Sequence, residues 1–106
     1  MVNARTLSLF KAGSYIMNLA RGGIVNEDDL FVALKNGSIG GAAIDCFEDE
    51  PYEGPLATLE NVLLTQHMGS CSFDCRAAME TEATKDMIRF FKGEPLVSEV
   101  GKDIQN

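Results

Sequence analysis

Basic residues are scarce in this 106-residue chain, where nine lysines and arginines face sixteen acids for a formal net charge of −7. A surface this acidic is a poor match for a run of phosphates, so nucleic acid is not expected as a partner. One local cluster of donors can still hold a small anion. Long apolar runs are absent too: nothing approaches the roughly 18 residues of a membrane helix, and no membrane partner is expected. The opening residues, MVNARTLSLFKAG, lack the apolar core and small-residue cleavage pattern of a signal peptide. Asn36-Gly37-Ser38 has the form of a glycosylation acceptor and is therefore expected to stay unmodified. Cysteine is sparse, and Cys46, Cys71 and Cys75 form an odd set without framework spacing, which points to reduced thiols in a cytoplasm. Repeats, linkers and low-complexity tracts are missing as well. With 45% hydrophobic residues, a single soluble domain with its own core is the expectation.

What is present is an alternation of short apolar runs with amphipathic segments. Asn3 is placed to cap a short helix over about Ala4 to Lys11, which Gly13 ends. Ser14 to Leu19 reads as a strand, being short, apolar and bounded by glycines. Asn26 followed by Glu27, Asp28 and Asp29 is a cap with three acids at the positive end of a helix dipole. Leu30, Phe31, Ala33 and Leu34 give that helix its apolar face, and Asn36-Gly37 stops it. Gly41 to Phe47 and Val62 to Thr65 read as two further strands, separated by an acidic, proline-bearing loop. Ser72 is placed to cap a long helix reaching about Lys92, with Met79, Ala83, Met87, Phe90 and Phe91 at helical spacing. The pattern predicts an α/β fold with about three parallel strands, flanking helices and a long C-terminal helix.

Arg21, Glu50 and His67 each fall just beyond the predicted end of a different strand. In open parallel sheets, ligands bind outside the carboxyl ends of the strands. Parallel neighbours would therefore bring a guanidinium, a carboxylate and an imidazole to one edge. A guanidinium can hold a carboxylate through two parallel hydrogen bonds, and an imidazole beside a carboxylate can move a proton near neutral pH. The rival for the same residues is a metal site: His67, Cys71 and Cys75 at four-residue intervals, with Cys46 as fourth ligand. A helix cap at Ser72 would spoil that regular spacing, and there is no Cys-x-x-Cys pair.

Four blocks occur in order: Asn18-Leu-Ala-Arg-Gly-Gly-Ile-Val-Asn26, Gly41-Ala-Ala-Ile-Asp45, Phe47-Glu-Asp-Glu-Pro51 and Leu64-Thr-Gln-His-Met-Gly-Ser70. Together they resemble the D-isomer-specific 2-hydroxyacid dehydrogenases, a family that includes D-3-phosphoglycerate, D-lactate and glyoxylate/hydroxypyruvate-type enzymes. The resemblance runs from about Leu7 to Gly93. It implies NAD as cofactor and a small 2-hydroxy or 2-keto acid as substrate. By it, Arg21 would orient the substrate carboxylate and carbonyl, and His67 would protonate the ketone oxygen and act as base in reverse. Glu50 would pair with His67 and favour its charged form. Asp45 looks like the family's contact to the nicotinamide carboxamide, with the backbone around Ala20 and Gly69 on the same cofactor face. Gln66 stands where the family usually has proline, which suggests a looser approach to His67.

A dinucleotide site also needs a Gly-x-Gly-x-x-Gly turn between a strand and a helix, and that spacing does not occur here. The resemblance therefore implies the second half of a Rossmann-like NAD-binding domain over residues 1–106, without the first mononucleotide half or the substrate domain. Such a piece is expected to expose strand edges and apolar faces. It should form a homo-oligomer or join a complementing polypeptide, and lack turnover alone. The competing reading is a non-catalytic interaction module derived from a dehydrogenase.

Overall fold

A computed structural model describes residues 1–101 and shows an α/β chain. Its elements in order are α1 (Ala4–Leu7), β1 (Ser14–Asn18), α2 (Glu27–Lys35), β2 (Ile39–Ile44), β3 (Val62–Leu64) and α3 (Phe73–Lys92). A 3-10 turn at Pro55–Thr58 precedes β3. Met1–Gly69 forms one compact unit, and a second begins at Ser70.

In the first unit the strands lie in the order β1-β2-β3, all parallel. Ile16, Ala42 and Val62 share one row, and Asn18, Ile44 and Leu64 share the next but one. Alternation puts these two rows on the same face of the sheet. Beneath them the core gathers Leu7, Val25, Leu30, Leu34, Ile39 and Leu56, with Leu30, Ile39 and Leu56 wholly buried. The helices form where local chemistry asks for them. Asn3 Oδ1 accepts from the Thr6 N–H, and Asn26 Oδ1 from the Asp29 N–H at 2.9 Å. Three acids occupy the first turn of α2 and Lys35 its last, as the helix dipole favours. The Asp29 carboxylate also reaches the Ala4 N–H at 2.7 Å, tying the start of α1 to that of α2.

The second strand differs from its sequence expectation: it begins at Ile39 and ends at Ile44, where Gly41 to Phe47 was expected. The strand thus takes in Gly40 as well as the expected Gly41, and a Cβ at Gly40 would meet the Gly13 carbonyl. One at Gly41 would meet the Tyr15 ring and the Asn61 carbonyl. Glycine here permits close backbone approach inside the sheet. At the other end, Asp45, Cys46 and Phe47 leave the sheet to build the site. The first helix stops at Leu7, short of Lys11.

The opposite face of the sheet carries Tyr15, Met17 and Leu63, all exposed, around the small residues Gly41 and Ala43. Among the described residues β1 pairs with β2 alone, so its outer edge is open.

In the second unit, Ser72 Oγ accepts from the Cys75 N–H and opens α3, and Gly93 closes it in a left-handed conformation (φ 69°). The segment beyond Gly93 is tied back to the helix. Asp86 accepts from the Val97 and Ser98 N–H groups at 3.1 and 2.9 Å and from the Arg89 guanidinium at 2.7 Å. Those bonds hold the Asp86 carboxyl below the usual carboxylate range, the Val97 and Ser98 N–H groups contributing most. No helix among the described residues is long and apolar enough to cross a membrane.

Candidate active site at the carboxyl edge of the sheet

The three strand ends converge because backbone and side chains hydrogen-bond across them. Beyond β1, Asn18 is buried. Its side chain accepts from the Ala20 N–H at 3.2 Å and donates to the Arg21 carbonyl at 2.9 Å, closing the turn that carries Arg21. The Arg21 guanidinium donates to the Ala20 carbonyl at 2.6 Å. Gly22 then lies directly against the backbone of Phe47 and Glu48, so closely that a Cβ would overlap the Phe47 carbonyl. This contact sets the Arg21 turn against the segment that leads to Glu50.

Glu50 Oε1 accepts the Phe47 N–H at 3.0 Å, and both carboxylate oxygens stand 3.1 Å from His67 Nδ1. The Phe47 N–H and then the imidazole hold the Glu50 carboxyl below its ordinary range. An ionised carboxylate can only accept, so Nδ1 carries a proton and the ring's proton exchange falls to Nε2. The pair is about two-fifths exposed, open enough for a small molecule to reach it. Beside it lies a cavity of about 440 Å3, walled by Phe47, Tyr52 and Leu64 with Glu50, Thr65 and His67 at its polar side. Phe47 and Tyr52 stack with ring centroids 4.3 Å apart.

Asp45 is the buried hub of the edge. Its N–H donates to the Asn18 carbonyl at 2.9 Å, and its own carbonyl accepts the His67 N–H at 2.8 Å. Its carboxylate accepts the Thr65 hydroxyl at 2.6 Å and the Met68 N–H at 2.8 Å on Oδ1, and the Gly69 N–H at 3.0 Å on Oδ2. The Thr65 hydroxyl and the Met68 N–H do most to hold its carboxyl below the ordinary range. A carboxylate has about four lone-pair sites, so Oδ2 keeps room for one more donor.

Cys46 is buried, with Sγ 3.4 Å from the Ala20 carbonyl. Burial pushes its thiol up, and the Asp45 and Glu50 charges add to this. Among the described residues no three His, Cys, Asp or Glu side chains group as metal ligands.

The sequence candidates Ala20, Arg21, Asp45, Glu50, His67 and Gly69 all lie on this one edge. Glu50 meets His67 directly, Asp45 meets Gly69, and Arg21 folds back on Ala20. Residues not singled out from sequence also build the site. Asn18 closes the Arg21 turn and Thr65 bonds Asp45, and a polar residue at each strand end was the available signal.

Both carboxyls titrate below their unfolded values, so each contributes stability above the unfolded carboxylate range and loses it as pH falls through the lower native value. The urea midpoint should therefore hold between pH 7 and pH 5 and fall below about pH 4. Asp45→Asn should flatten that acid limb. An equally steep limb in the variant would show that Asp45 does not contribute to it.

The family described as D-isomer specific 2-hydroxyacid dehydrogenase, NAD binding domain, matches residues 1–69. The chain is 41% identical over 105 residues to a glyoxylate reductase of Pyrococcus furiosus, covering 98% of this chain and 31% of that protein. It is 37% identical over 95 residues to a D-3-phosphoglycerate dehydrogenase of Methanocaldococcus jannaschii, covering 89% of this chain and 18% of the relative. Among solved structures, an NADPH-dependent glyoxylate/hydroxypyruvate reductase of Sinorhizobium meliloti, in complex with NADP and malonate, superposes with a TM-score of 0.87. The two are 35% identical, over 94% of this chain and 32% of that one. The chain thus spans about a third of the length of the glyoxylate reductases it matches. Profile, identity and fold agree, and the chain belongs to the NAD-binding domain family of the D-isomer-specific 2-hydroxyacid dehydrogenases.

Proposed function

We propose that this chain supplies the acid–base and nicotinamide-facing part of a dehydrogenase site acting on a small 2-keto or 2-hydroxy acid. The observation that carries this reading is the Glu50 carboxylate seated on His67 Nδ1 at a parallel sheet's carboxyl edge. In reduction of a keto acid, His67 gives the Nε2 proton to the oxygen that gains negative charge, and Glu50, accepting from Nδ1–H, holds the ring in orientation. Arg21, released from the Ala20 carbonyl, has the geometry to hold the substrate carboxylate in two hydrogen bonds. The remaining acceptor site on Asp45 Oδ2 suits an amide N–H such as that of a nicotinamide carboxamide, with Ala20 and Gly69 flanking it. When bound, the reduced nicotinamide supplies the hydride.

These residues suit the nicotinamide end of the cofactor only. No Gly-x-Gly-x-x-Gly turn accompanies them, so the pyrophosphate site comes from polypeptide outside these 106 residues. Titrating the isolated chain with NADH should accordingly give no saturable micromolar binding. A chimera in which the chain replaces the matching segment of the Pyrococcus furiosus glyoxylate reductase should oxidise NADH with glyoxylate. A folded chimera that binds NADH but turns over no 2-keto acid would overturn the reading.

The open edge of β1 and the exposed Tyr15, Met17 and Leu63 favour completion by a second copy or by a complementing polypeptide. Sedimentation of the pure chain should show a dimer or larger species, and a monodisperse monomer of 11.5 kDa would count against this. Three cysteines without framework spacing suit a reducing cytoplasm.

A further inference from the structure

His67 has a backbone φ of 53°, the one non-glycine residue with positive φ among those described. The left-handed region is uncommon outside glycine, and a residue held there needs surroundings that fix it. Those surroundings belong to Asp45. On one side of His67 its carboxylate bonds the Thr65 hydroxyl, and on the other it bonds the Met68 and Gly69 N–H groups. Between them its backbone carbonyl takes the His67 N–H itself. Four bonds from one buried residue thus bracket the histidine. Residue 66 takes no part in these bonds, so a glutamine there is compatible with a fixed approach to His67.

We infer that Asp45, with Thr65 as its partner, is a positioning residue that sets the left-handed backbone of His67 and thereby aims Nδ1 at Glu50. This goes beyond a contact to a cofactor carboxamide, and it rests on the reading of His67 as the acid–base group. The carboxylate suits the task because two acceptor oxygens can serve three donors on both flanks of one residue. A neutral amide offers a single oxygen and would present N–H to one of those donors.

His67 is the only histidine in the chain, so its ring can be observed without assignment by ring-nitrogen NMR at a pH where it is neutral. The wild type should show a strong bias toward the Nδ1–H tautomer. Thr65→Val, which keeps the shape and removes the hydroxyl, should shift the ring toward a mixture, with faster exchange of the Met68 and Gly69 amides. Thr65→Ser should restore both, and Asp45→Asn should lose the bias more completely than Thr65→Val. Melting midpoints taken in parallel separate aim from general stability. If both variants melt lower yet keep the wild-type tautomer bias, Asp45 is a structural brace and the inference fails. It fails equally if the wild-type ring has no Nδ1–H preference. Should Asp45→Asn not fold, the Thr65→Val and Thr65→Ser pair decides alone. None of these readouts needs cofactor or turnover, so an inactive chimera and a failed positioning role are distinguished.

Discussion

His67→Ala should lower the turnover of the chimera by about 10²–10⁴-fold, the usual contribution of a positioned acid–base group. NADH affinity should stay close to that of the parent chimera, because the side chain meets Glu50 and the reacting oxygen while cofactor recognition falls to other groups. Glu50→Gln should cost less, since the amide can still meet Nδ1 while the carboxylate's charge is lost. Arg21→Ala should act chiefly on substrate use, raising KM for the keto acid, because a guanidinium contributes binding and orientation and not the proton. A His67→Ala chimera with unchanged kinetics would remove the residue from the mechanism. A loss appearing wholly as weaker NADH binding would reassign it to the cofactor.

Gly22→Ala should destabilise the first unit by at least about 3 kcal/mol, at the upper end of ordinary overpacking costs. The new Cβ meets the backbone of Phe47 and Glu48, not the movable end of a side chain. Neither partner can rotate away, because Phe47 N–H is bonded to Glu50, and Glu48 N–H to Glu27 Oε1 at 2.9 Å. For a domain of this size the melting midpoint should drop by about 12–24 °C. Gly37→Ala is the control: φ is 77° and nothing lies within contact of its Cβ, so only the left-handed penalty of about 1 kcal/mol applies. If Gly22→Ala melts no lower than Gly37→Ala, the close approach of the two loops is not what holds the Arg21 turn in place. If it folds, its NADH-linked activity in the chimera should still fall, since the Arg21 turn and the Glu50 loop are forced apart.

What could be read from the chain alone was whatever depends on neighbours in sequence. Asn3, Asn26 and Ser72 cap their helices through N–H groups three residues ahead, and Gly93 closes α3 one residue past its end. Such short-range bonds leave their mark in residue type and spacing, as do the apolar runs of the strands. The four sequence blocks placed the chain in its family before any contact was known. Gly40 fell outside the expected strand because its reason for being glycine is the close approach of the Gly13 carbonyl just before β1, distant along the chain.

The same holds at the site. Arg21, Glu50 and His67 could be assigned to strand ends from sequence. That Glu50 presents both oxygens to Nδ1 of His67, and that Arg21 rests on its neighbour's carbonyl, depends on the fold. So does the role of Asp45, whose carboxylate partners lie 20 to 24 residues away, and that of Asp86, which holds the tail 11 and 12 residues on. A carboxylate announces charge in a sequence but not its donors, because those are chosen by which strand ends the parallel sheet brings side by side.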